Sequence, residues 1–394
     1  MKKVLFVIDS LNSGGAEKSL ISLLTLFNYK EYEVDLLMFS HEGLYMPLIP
    51  KEVNIIDIPK YMKMRKYKLR FLLAHKHFTE LFLRVLTSLS LRNPLKVNNL
   101  HSAQIIWQCI STYIEKLNKS YDFAIAYSQG MPTYYVAEKV TAIKKFCWIN
   151  TDYKLASYNK KYDENYYNKF NKIIAVSNIN KDIFNGEFPI FEKKVDVIYD
   201  IVSPELIKSL AIEDGGFKDN FEGVRILTIG RLVDIKGYDL AIKACHQLRE
   251  AGFKIKWYAI GEGNQKIKYE NMVEEYGLKD SFIFLGTHYN PYTFLNQCDI
   301  YVQPSRFEGF GIALAEAKIL KKHIVATNFS VVHDQIKDKK NGLIVKMESK
   351  EIYNGIRKIM EDRKLREKMK RSLIDEVGGT EDEINKLYTL MNSV

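Results

Sequence analysis

Two glutamates on either side of a glycine-rich turn are the strongest candidates for chemistry in this sequence. Glu308 and Glu316 are separated by seven residues in the stretch RFEGFGIALAE, which spans residues 306–316. Two carboxylates at this spacing could be a general acid and base, a metal site, two clamps on one ligand, or ordinary surface charges. The spacing alone does not choose among these four, so the surrounding elements must.

A second candidate group is cationic. Arg231 and Lys236 lie in the stretch GRLVDIKG, which begins at Gly230 directly after an apolar run. Arginine binds a diphosphate through its planar fork, and lysine binds it as a point charge. Either residue alone would more often be a solvated surface charge. Together in one loop after a strand, they favour a functional role.

Three glycine-containing loops also follow apolar runs, and each opens or precedes a helical pattern. Their key residues are Gly14 and Gly15, then Gly261 and Gly263, and then Gly309, Phe310, Gly311 and Ile312. Glycine allows close backbone approach, and free N–H groups at a helix start suit an anionic ligand. Each loop could equally be a plain turn. None is a GxGxxG fingerprint or a phosphate-binding P-loop, so hydride-transfer enzymes and P-loop NTPases lose support.

The elements that must position these residues alternate along the chain. Short apolar runs separated by longer amphipathic stretches are typical of βαβ units and a mostly parallel sheet. The predicted strands of the first half are Val4–Ile8, Val34–Phe39, Val53–Ile58, Phe123–Tyr127, Lys145–Ile149, Lys172–Val176 and Val195–Ile198. Those of the second half are Arg225–Ile229, Ile255–Ile260, Phe282–Leu285, Ile300–Gln303, His323–Ala326 and Leu343–Val345.

The two sets of strands predict two doubly wound α/β domains, because 394 residues exceed what one compact core usually holds. The polar residues 203–223 between them are predicted to be a linker, and residues 349–370 are predicted to form one charged helix. Ligands of such sheets bind at the carboxyl ends of the strands, where the candidate loops lie.

The net charge of +10 is concentrated in one segment. Residues 60–97 contain ten Lys or Arg and one acid, Glu80, mixed with leucine and phenylalanine. This composition suits a helix lying on an anionic lipid surface, or a domain helix packed on one side and solvated on the other. No nucleic-acid-binding motif accompanies the charge, so nucleic acid is not an expected partner.

Cysteine usage and hydropathy predict a cytoplasmic protein. The four cysteines are far apart and lack metal-ligand spacing, which is typical of reduced thiols. The first apolar run, Val4–Ile8, ends at Asp9 and is too short for a secretory signal. No run approaches the roughly 18 apolar residues of a membrane span.

In their order and spacing, GRLVDIKG, GEG and RFEGFGIALAE resemble the C-terminal domain of the retaining GT-B glycosyltransferases of the large family 4, the glycosyl transferases group 1. RFEGFGIALAE resembles that family's Glu-x7-Glu motif, and GGAEKS resembles its glycine loop. The resemblance covers essentially the whole chain and is strongest over residues 225–345. It implies two Rossmann-like domains facing a central cleft. Residues 1–205 would bind the acceptor, residues 206–375 the sugar nucleotide, and a terminal helix in residues 376–394 would return to the N-terminal domain.

The resemblance also implies roles for the donor-side residues. Arg231 and Lys236 would hold the diphosphate and stabilise the charge that builds on the leaving group. Glu308 would contact the sugar hydroxyls, and Glu316 the ribose hydroxyls. The remaining donor contacts would come from Gly14, Gly15, Gly230, Gly261, Gly263, Gly309, Phe310, Gly311 and Ile312. No metal or cofactor is required, because the sugar nucleotide is a co-substrate, and retention would follow front-face attack with the donor phosphate helping to deprotonate the acceptor.

The acceptor wall is where the sequence departs from the family pattern. Ser128, Gln129, Asn150 and Asp152 follow predicted strands of the first half and are candidate acceptor-binding residues. Many relatives carry histidine where Asn150 stands. Asparagine can donate a hydrogen bond but cannot exchange protons near neutral pH. A proton-carrying role would therefore be absent here, whereas a positioning role could persist.

The sequence as a whole predicts a hexosyl- or N-acetylhexosaminyl-type glycosyltransferase. The donor is expected to be UDP-linked, and the acceptor a lipid-linked or cell-envelope, including capsular, glycan. The enzyme would be cytoplasmic, with residues 60–97 on the inner face of the cell membrane. A nucleotide-sugar epimerase of the same fold and a non-catalytic nucleotide-sugar-binding partner of another transferase are the alternatives.

Overall fold

The computed structural model describes residues 1–64, 67–376 and 378–393, which form two compact units. The first unit comprises Met1–Asn12, Ala16–Asp200 and a stretch that begins at Asp382. The second unit comprises Ser13–Gly15 and Ile201–Glu381. Each unit has its own sheet and its own hydrophobic core.

The secondary structure of the described residues alternates between strands and helices. The strands are β1 Lys2–Ile8, β2 Tyr32–Met38, β3 Asn54–Ile56, β4 Ser120–Ala126, β5 Thr141–Ile149, β6 Lys172–Ala175, β7 Val195–Val197, β8 Val224–Ile229, β9 Ile255–Ile260, β10 Phe282–Gly286, β11 Ile300–Gln303, β12 His323–Thr327 and β13 Leu343–Val345. The helices are α1 Gly15–Thr25, α2 Lys60–Met64, α3 Leu69–Ala74, α4 Phe78–Ser90, α5 Pro94–Val97, α6 Ser102–Ile110, α7 Met131–Lys139, α8 Lys160–Tyr167, α9 Asn178–Glu187, α10 Pro204–Ala211, α11 Tyr238–Glu250, α12 Lys266–Glu275, α13 Tyr292–Gln297, α14 Ile312–Ile319, α15 Val332–Gln335, α16 Ser349–Glu361, α17 Arg363–Asp375 and α18 Glu383–Asn392.

The first sheet is parallel, with strand order β3-β2-β1-β4-β5-β6-β7. Val4 of β1 pairs with Val34 on one side and Phe123 on the other, and Val4 to Ile8 are buried. Strands buried on both faces read as continuous apolar runs, which explains why this strand was visible in the sequence. The strand order reverses between β1 and β4, so the loops after these two strands border a crevice.

The second sheet is also parallel, with strand order β10-β9-β8-β11-β12-β13. Its order reverses between β8 and β11, which are neighbours in the sheet although far apart in sequence. The loop after β8 and the loop after β11 therefore start side by side at the carboxyl edge. This topology brings the cationic loop to the loop that contains Glu308.

The predicted architecture of two doubly wound parallel sheets is confirmed, and each predicted strand is present with bounds shifted by a few residues at most. The linker prediction for residues 203–223 was wrong in part, because α10 forms there. Ser203 caps α10 by accepting a hydrogen bond from the Leu206 N–H, and Ile207 and Leu210 are buried. A polar composition had hidden this short apolar face.

The predicted single helix over residues 349–370 was also wrong. The first helix, α16, ends at Glu361, and Asp362 caps the next helix, α17. Its carboxylate accepts a hydrogen bond from the Leu365 N–H at 2.9 Å. Aspartate favours such N-cap positions, so the break had a signal in the sequence. The basic segment 60–97 forms α2 to α5 in its described part, while Arg65 and Lys66 lie outside the described residues.

Helix α18 packs on the first unit although it follows the second in sequence. Tyr388 stacks on Tyr32 with ring centroids 5.6 Å apart, and its hydroxyl accepts a hydrogen bond from the Asn28 N–H at 2.8 Å. Leu387 of the same helix is fully buried. In the part of the chain described here, no helix has the length and apolar character needed to cross a membrane.

Candidate active site

The loop that follows β8 in the second unit is held tightly closed. Tyr238 donates a hydrogen bond from its hydroxyl to the Gly230 carbonyl at 2.7 Å, which joins the two ends of the loop. Gly237 has a φ of +68°, and a Cβ there would lie 2.0 Å from the carbonyl oxygen of Pro304. Only glycine fits this contact, so the loop after β8 lies directly against the loop after β11.

Lys236 and Glu308, two predicted catalytic residues 72 positions apart, meet between these loops. Lys236 Nζ lies 2.6 Å from Glu308 Oε2, and their side chains are only 17% and 8% exposed. The other carboxylate oxygen of Glu308 accepts from Ser305 Oγ and Gln303 Nε2, both at 2.6 Å. A carboxylate this buried needs a paired cation and further donors, and the structure supplies both.

This network limits what Glu308 can do. Both of its carboxylate oxygens already accept hydrogen bonds from fixed neighbours, which suits an orienting acceptor better than a group that takes up protons. Lys236 uses one of its three N–H donors on Glu308, so two remain for an anionic ligand. The arrangement therefore favours binding and charge stabilisation over acid–base exchange between the two glutamates.

Arg231 is the other predicted cation of the loop after β8. Its side chain is exposed and makes no hydrogen bond or ion pair with any residue that the structure describes. A guanidinium without a fixed partner can turn toward a phosphate at little cost. Its predicted role on the diphosphate stays a prediction.

Arg306 holds the two loops together, a role that the sequence reading did not assign. Its guanidinium donates to both carboxylate oxygens of Asp239, at 2.8 and 2.7 Å, and to the Asp234 carbonyl at 2.8 Å. Burial tends to raise the pKa of Asp239, but the hydrogen bonds from Arg306 hold it below its ordinary value. Arg306 stands in the quoted RFEGFG stretch, yet its partner became visible only in three dimensions.

Glu316 lies in α14 and is 1% exposed. Its Oε1 accepts a hydrogen bond from the Tyr292 hydroxyl at 2.8 Å, which fixes the orientation of the carboxylate. The helix begins at Ile312, after Gly311 with a φ of +88°, so Gly309 to Gly311 form the preceding turn rather than the first helical turn. The predicted contacts of Glu316 with ribose and of this turn with phosphate stay predictions.

Gly261 and Gly263 have a structural reason of their own. A Cβ at Gly261 would lie 1.9 Å from the Gly230 carbonyl oxygen, and one at Gly263 would lie 2.3 Å from the Leu232 carbonyl oxygen. The Leu232 N–H also donates to the Glu262 carbonyl at 3.0 Å. These glycines let the GEG loop pack on the cationic loop, and their predicted donor contacts stay predictions.

In the first unit, an exposed hydrogen bond joins the loops after β1 and β4. Ser128 Oγ donates to Asp9 Oδ2 at 3.3 Å. Gly15 begins α1, and it belongs with Gly14 to the second unit. Ser19 of α1 lies 2.9 Å from the Tyr127 hydroxyl and also hydrogen bonds to Asp200. Burial raises the pKa of Asp200 to about 7, although the bond from Ser19 opposes the shift.

The loops after β4 and β5 meet at Gln129. Its Oε1 accepts from the Thr151 N–H at 3.1 Å and from the Thr151 hydroxyl at 2.8 Å. Both amide atoms of Asn150 and the amide nitrogen of Gln129 are buried, and no described residue gives them a hydrogen-bond partner. Buried amide groups without partners are uncommon and cost about 1–3 kcal/mol each. Two of the predicted acceptor residues are thus adjacent and incompletely satisfied.

Asp152 has a local structural role. Its Oδ1 accepts from the Lys154 N–H at 2.8 Å and from the Leu155 N–H at 3.1 Å, which shapes the turn after β5. None of the described residues donates a hydrogen bond to its other oxygen, and the predicted acceptor contact stays a prediction. Asp152 therefore combines a turn function with a candidate binding function.

Asp163, which was not predicted from the sequence, stabilises the turn after β5 through its hydrogen bond with Tyr153. It accepts hydrogen bonds from Tyr134, Tyr153 and Gln104 at 2.6 to 2.8 Å. Burial raises the pKa of Asp163 although these three donors oppose the shift. Through Tyr153, Asp163 anchors the loop that begins at Asn150. The spacing of these four residues in the sequence does not predict their hydrogen bonds.

Comparison with known proteins places these loops in a recognised domain. Residues 217–373 match the model of the family described as Glycosyl transferases group 1. Over 375 residues the chain is 28% identical to the N-acetylgalactosamine-N,N'-diacetylbacillosaminyl-diphospho-undecaprenol 4-alpha-N-acetylgalactosaminyltransferase of Campylobacter jejuni, covering 94% of this chain and 93% of the relative. It is 30% identical over 118 residues to the poly(ribitol-phosphate) alpha-N-acetylglucosaminyltransferase of Staphylococcus aureus, covering 30% and 24%.

Solved structures share the fold over the full length. A mutant of S. aureus TarM in complex with fondaparinux, alpha-GlcNAc-glycerol and UDP superimposes with a TM-score of 0.70 at 18% identity, covering 100% of both chains. Anabaena HepE in complex with UDP-glucose gives the same TM-score, identity and coverage. The domain match, the full-length relative and the shared architecture show that the chain is a glycosyltransferase with the GT-B fold.

Proposed function

We propose that this glycosyltransferase is a retaining enzyme of the family 4 type, which moves a hexosyl or N-acetylhexosaminyl group from a UDP-linked donor to a lipid-linked or cell-envelope glycan. The single observation that carries the proposal is the buried pair of Lys236 and Glu308 between the loops after β8 and β11. It places a fixed cation and an oriented carboxylate at the edge where α/β sheets bind ligands.

In the proposed reaction, Lys236 and Arg231 bind the donor diphosphate and stabilise the negative charge that develops as UDP leaves. Glu308 accepts hydrogen bonds from the donor sugar, held in place by Ser305 and Gln303. Glu316 accepts from the ribose hydroxyls while Tyr292 orients it. Preorganised charges of this kind lower the barrier because they need little rearrangement during the reaction.

The proposed step is a front-face displacement. The acceptor hydroxyl bonds to the anomeric carbon on the face from which UDP departs, while the bond from that carbon to the UDP oxygen breaks. The acceptor proton passes to an oxygen of the leaving phosphate, so Glu308 is not needed as a base. Because the two cations supply the positive charge, the proposal includes no metal and no cofactor.

The donor and acceptor classes follow the relatives. HepE was solved with UDP-glucose, TarM with UDP, and the Campylobacter relative is named for an acceptor on diphospho-undecaprenol. A lipid-linked acceptor requires access to a membrane surface. We therefore include in the proposal that the enzyme is cytoplasmic and associates with the anionic inner face of the cell membrane through residues 60–97.

The test combines a binding panel with product analysis. UDP-sugars and other nucleotide sugars are screened by thermal shift, and a bound donor at about 100 times its Kd stabilises the fold by about 2.7 kcal/mol. The stabilising donor is then incubated with a lipid-linked glycan, and the anomeric configuration of the product is read by NMR. We expect a UDP-sugar to stabilise the protein and the product to keep the donor's configuration.

Three other outcomes contradict parts of the proposal. An inverted product contradicts retention. Stabilisation only by nucleotides with another base contradicts the UDP assignment. Free epimerised sugar nucleotide formed without any acceptor would support the epimerase alternative instead.

A further inference from the structure

Helix α4 has two apolar faces, of which only one is covered by the first unit. The inner face carries Leu83, which is 1% exposed, together with the buried Thr87. On the other side, large apolar side chains point outward. These are Phe78, Phe82, Val85 and Leu89, with exposed fractions of 61%, 56%, 48% and 61%.

The four exposed side chains form one continuous stripe. At about 100° per residue, positions 78, 82, 85 and 89 lie within about 60° of one another around the helix axis. The neighbouring helices of the same segment also carry exposed apolar side chains, namely Leu73 at 53%, Leu95 at 78% and Val97 at 50%. Single exposed apolar residues are ordinary, but a row of this length marks a binding surface. We call the four residues of the α4 stripe, Phe78, Phe82, Val85 and Leu89, the outer apolar surface.

Positive charge is concentrated in the same segment of the chain as the outer apolar surface. The described residues of the segment 60–97 include eight cations, namely Lys60, Lys63, Lys68, Arg70, Lys76, Arg84, Arg92 and Lys96. Glu80 is the one acid of that segment. Its side chain is only 14% exposed and lies 3.9 Å from Lys60 Nζ and 3.8 Å from His77 Nδ1. The described residues of this segment therefore carry a net positive charge.

The combination of apolar stripe and cations selects one occupant. A second copy of the chain would cover the stripe, but it would also bring two sets of cations face to face. An anionic lipid surface offers negative headgroups to the cations and hydrocarbon to the stripe in the same plane. We propose that the outer apolar surface inserts into the boundary between headgroups and acyl chains of an anionic bilayer. This deepens the membrane association in the proposed function by naming the inserted residues, and it does not rest on the reaction.

The first experiment measures binding to phosphatidylcholine vesicles with and without phosphatidylglycerol, by flotation. The variant Phe82→Ser/Leu89→Ser removes apolar area from the stripe and keeps every charge. Ile143→Ser/Ile190→Ser is the matched control, because Ile143 and Ile190 are 73% and 67% exposed elsewhere in the first unit. We expect the affinity of the stripe variant for anionic vesicles to be at least about tenfold lower than that of the wild type. The control should bind with the affinity of the wild type.

The second experiment separates insertion from charge attraction. The three tryptophans of the chain are buried, at 0 to 1% exposure, so a new tryptophan on the surface reports its own surroundings. Brominated acyl chains should quench Phe82→Trp and leave Ile190→Trp unquenched. Raising the salt concentration should weaken the binding without restoring the emission of the molecules that stay bound, since insertion is not screened.

Three results would overturn the inference. The first is that the stripe variant binds vesicles like the wild type, and the second is that brominated acyl chains do not quench Phe82→Trp. The third is that the wild type is a dimer in solution and the stripe variant is a monomer. Melting curves of the variants check that they fold. Turnover with a water-soluble acceptor, measured in the same preparations, shows whether the proposed reaction fails or survives independently of membrane binding.

Discussion

The candidate donor region and the candidate acceptor region treat their buried polar groups in opposite ways. In the second unit, the carboxylate of Glu308 has three partners at 2.6 Å, including the ammonium of Lys236. In the first unit, the amide of Asn150 is buried without a partner among the residues the structure describes. One region is complete within its own unit, whereas the other leaves hydrogen-bonding groups unmatched.

This difference indicates where binding energy comes from in each region. Fixed charges in the donor region need little reorganisation when a diphosphate arrives, so they can act on the departing group. Unmatched amides in the acceptor region carry a cost of about 1–3 kcal/mol each, which hydroxyl groups of a ligand can relieve. Under the proposed function, this difference predicts that the second unit carries the chemistry and the first unit selects the acceptor, and four measurements can test that prediction.

The largest expected effect comes from Lys236→Ala. Turnover should fall by about 10³-fold or more, because the change removes a diphosphate contact and leaves Glu308 buried without its counter-charge, a loss of about 3–5 kcal/mol. The measurement is kcat/KM with the stabilising UDP-sugar. Lys268→Ala is the control, since Lys268 pairs with Asp234 at the surface and its removal should change turnover by less than about twofold.

A folding defect must be separated from this catalytic loss. Lys236→Ala/Glu308→Gln removes both members of the pair and should recover much of the melting temperature without recovering turnover. Unchanged turnover of every donor by Lys236→Ala would show that the diphosphate assignment is wrong.

A smaller effect is expected from Glu316→Gln. We expect UDP affinity to fall by about 10- to 100-fold, because a charged acceptor for the ribose hydroxyls becomes a neutral amide. Calorimetric titration with UDP measures it. Tyr292→Phe keeps the carboxylate and loses only one orienting hydrogen bond, so its effect should be smaller. Wild-type UDP binding by Glu316→Gln would remove Glu316 from the donor site.

Asn150→Ala tests the other side of the comparison. The KM for the acceptor should rise about tenfold, whereas UDP affinity should stay unchanged. The melting temperature should not fall, because the change removes buried polar atoms that have no partner among the described side chains. A loss of UDP affinity equal to the loss for the acceptor would contradict the division of roles between the two units.

The smallest effect concerns pH. Burial raises the pKa of Asp200 to about 7, so the folded state holds a proton that the unfolded state, with an ordinary pKa near 4, releases. Stability is therefore lost as the pH rises from about 4 to about 7. Between pH 6 and pH 8 the wild type should lose about 1 kcal/mol that Asp200→Asn retains, a relative shift of about 2–4 °C in Tm. Parallel melting curves of the two proteins across this range would contradict the assignment.

The same contrast explains what the sequence could predict. Apolar runs located the strands, and loops after strands located Lys236 and Glu308, because topology alone brings those loops to one edge. The pairing of Lys236 with Glu308, the clamp of Arg306 on Asp239 and the partners of Asp163 could not be predicted. Each depends on side chains that are far apart in sequence and have no shared spacing. The sequence also could not predict that the buried amide of Asn150 lacks a hydrogen-bond partner among the described residues, because the absence of a partner produces no sequence pattern.

Helix boundaries that depend on N-cap residues could have been predicted from the sequence, although the composition of the segments did not indicate them. Asp362 stands at an N-cap position and ends the helix before it. Ser203 is the N-cap of α10, inside a stretch whose composition is typical of a linker. In these two polar segments, the capping residue predicts the start of a helix better than the overall polarity predicts a linker or a continuous helix.

The return of α18 to the first unit has a consequence for how the protein is made. Phe27 and Tyr32 of the first unit contact Tyr388, with ring centroids 5.5 and 5.6 Å apart. During synthesis, Tyr388 leaves the ribosome only after residues 201–381 have been translated. Until then, the first unit lacks the ring that packs on Phe27 and Tyr32 in the folded protein. A fragment that stops at Asp200 would lack this packing of Tyr388 on Phe27 and Tyr32 altogether.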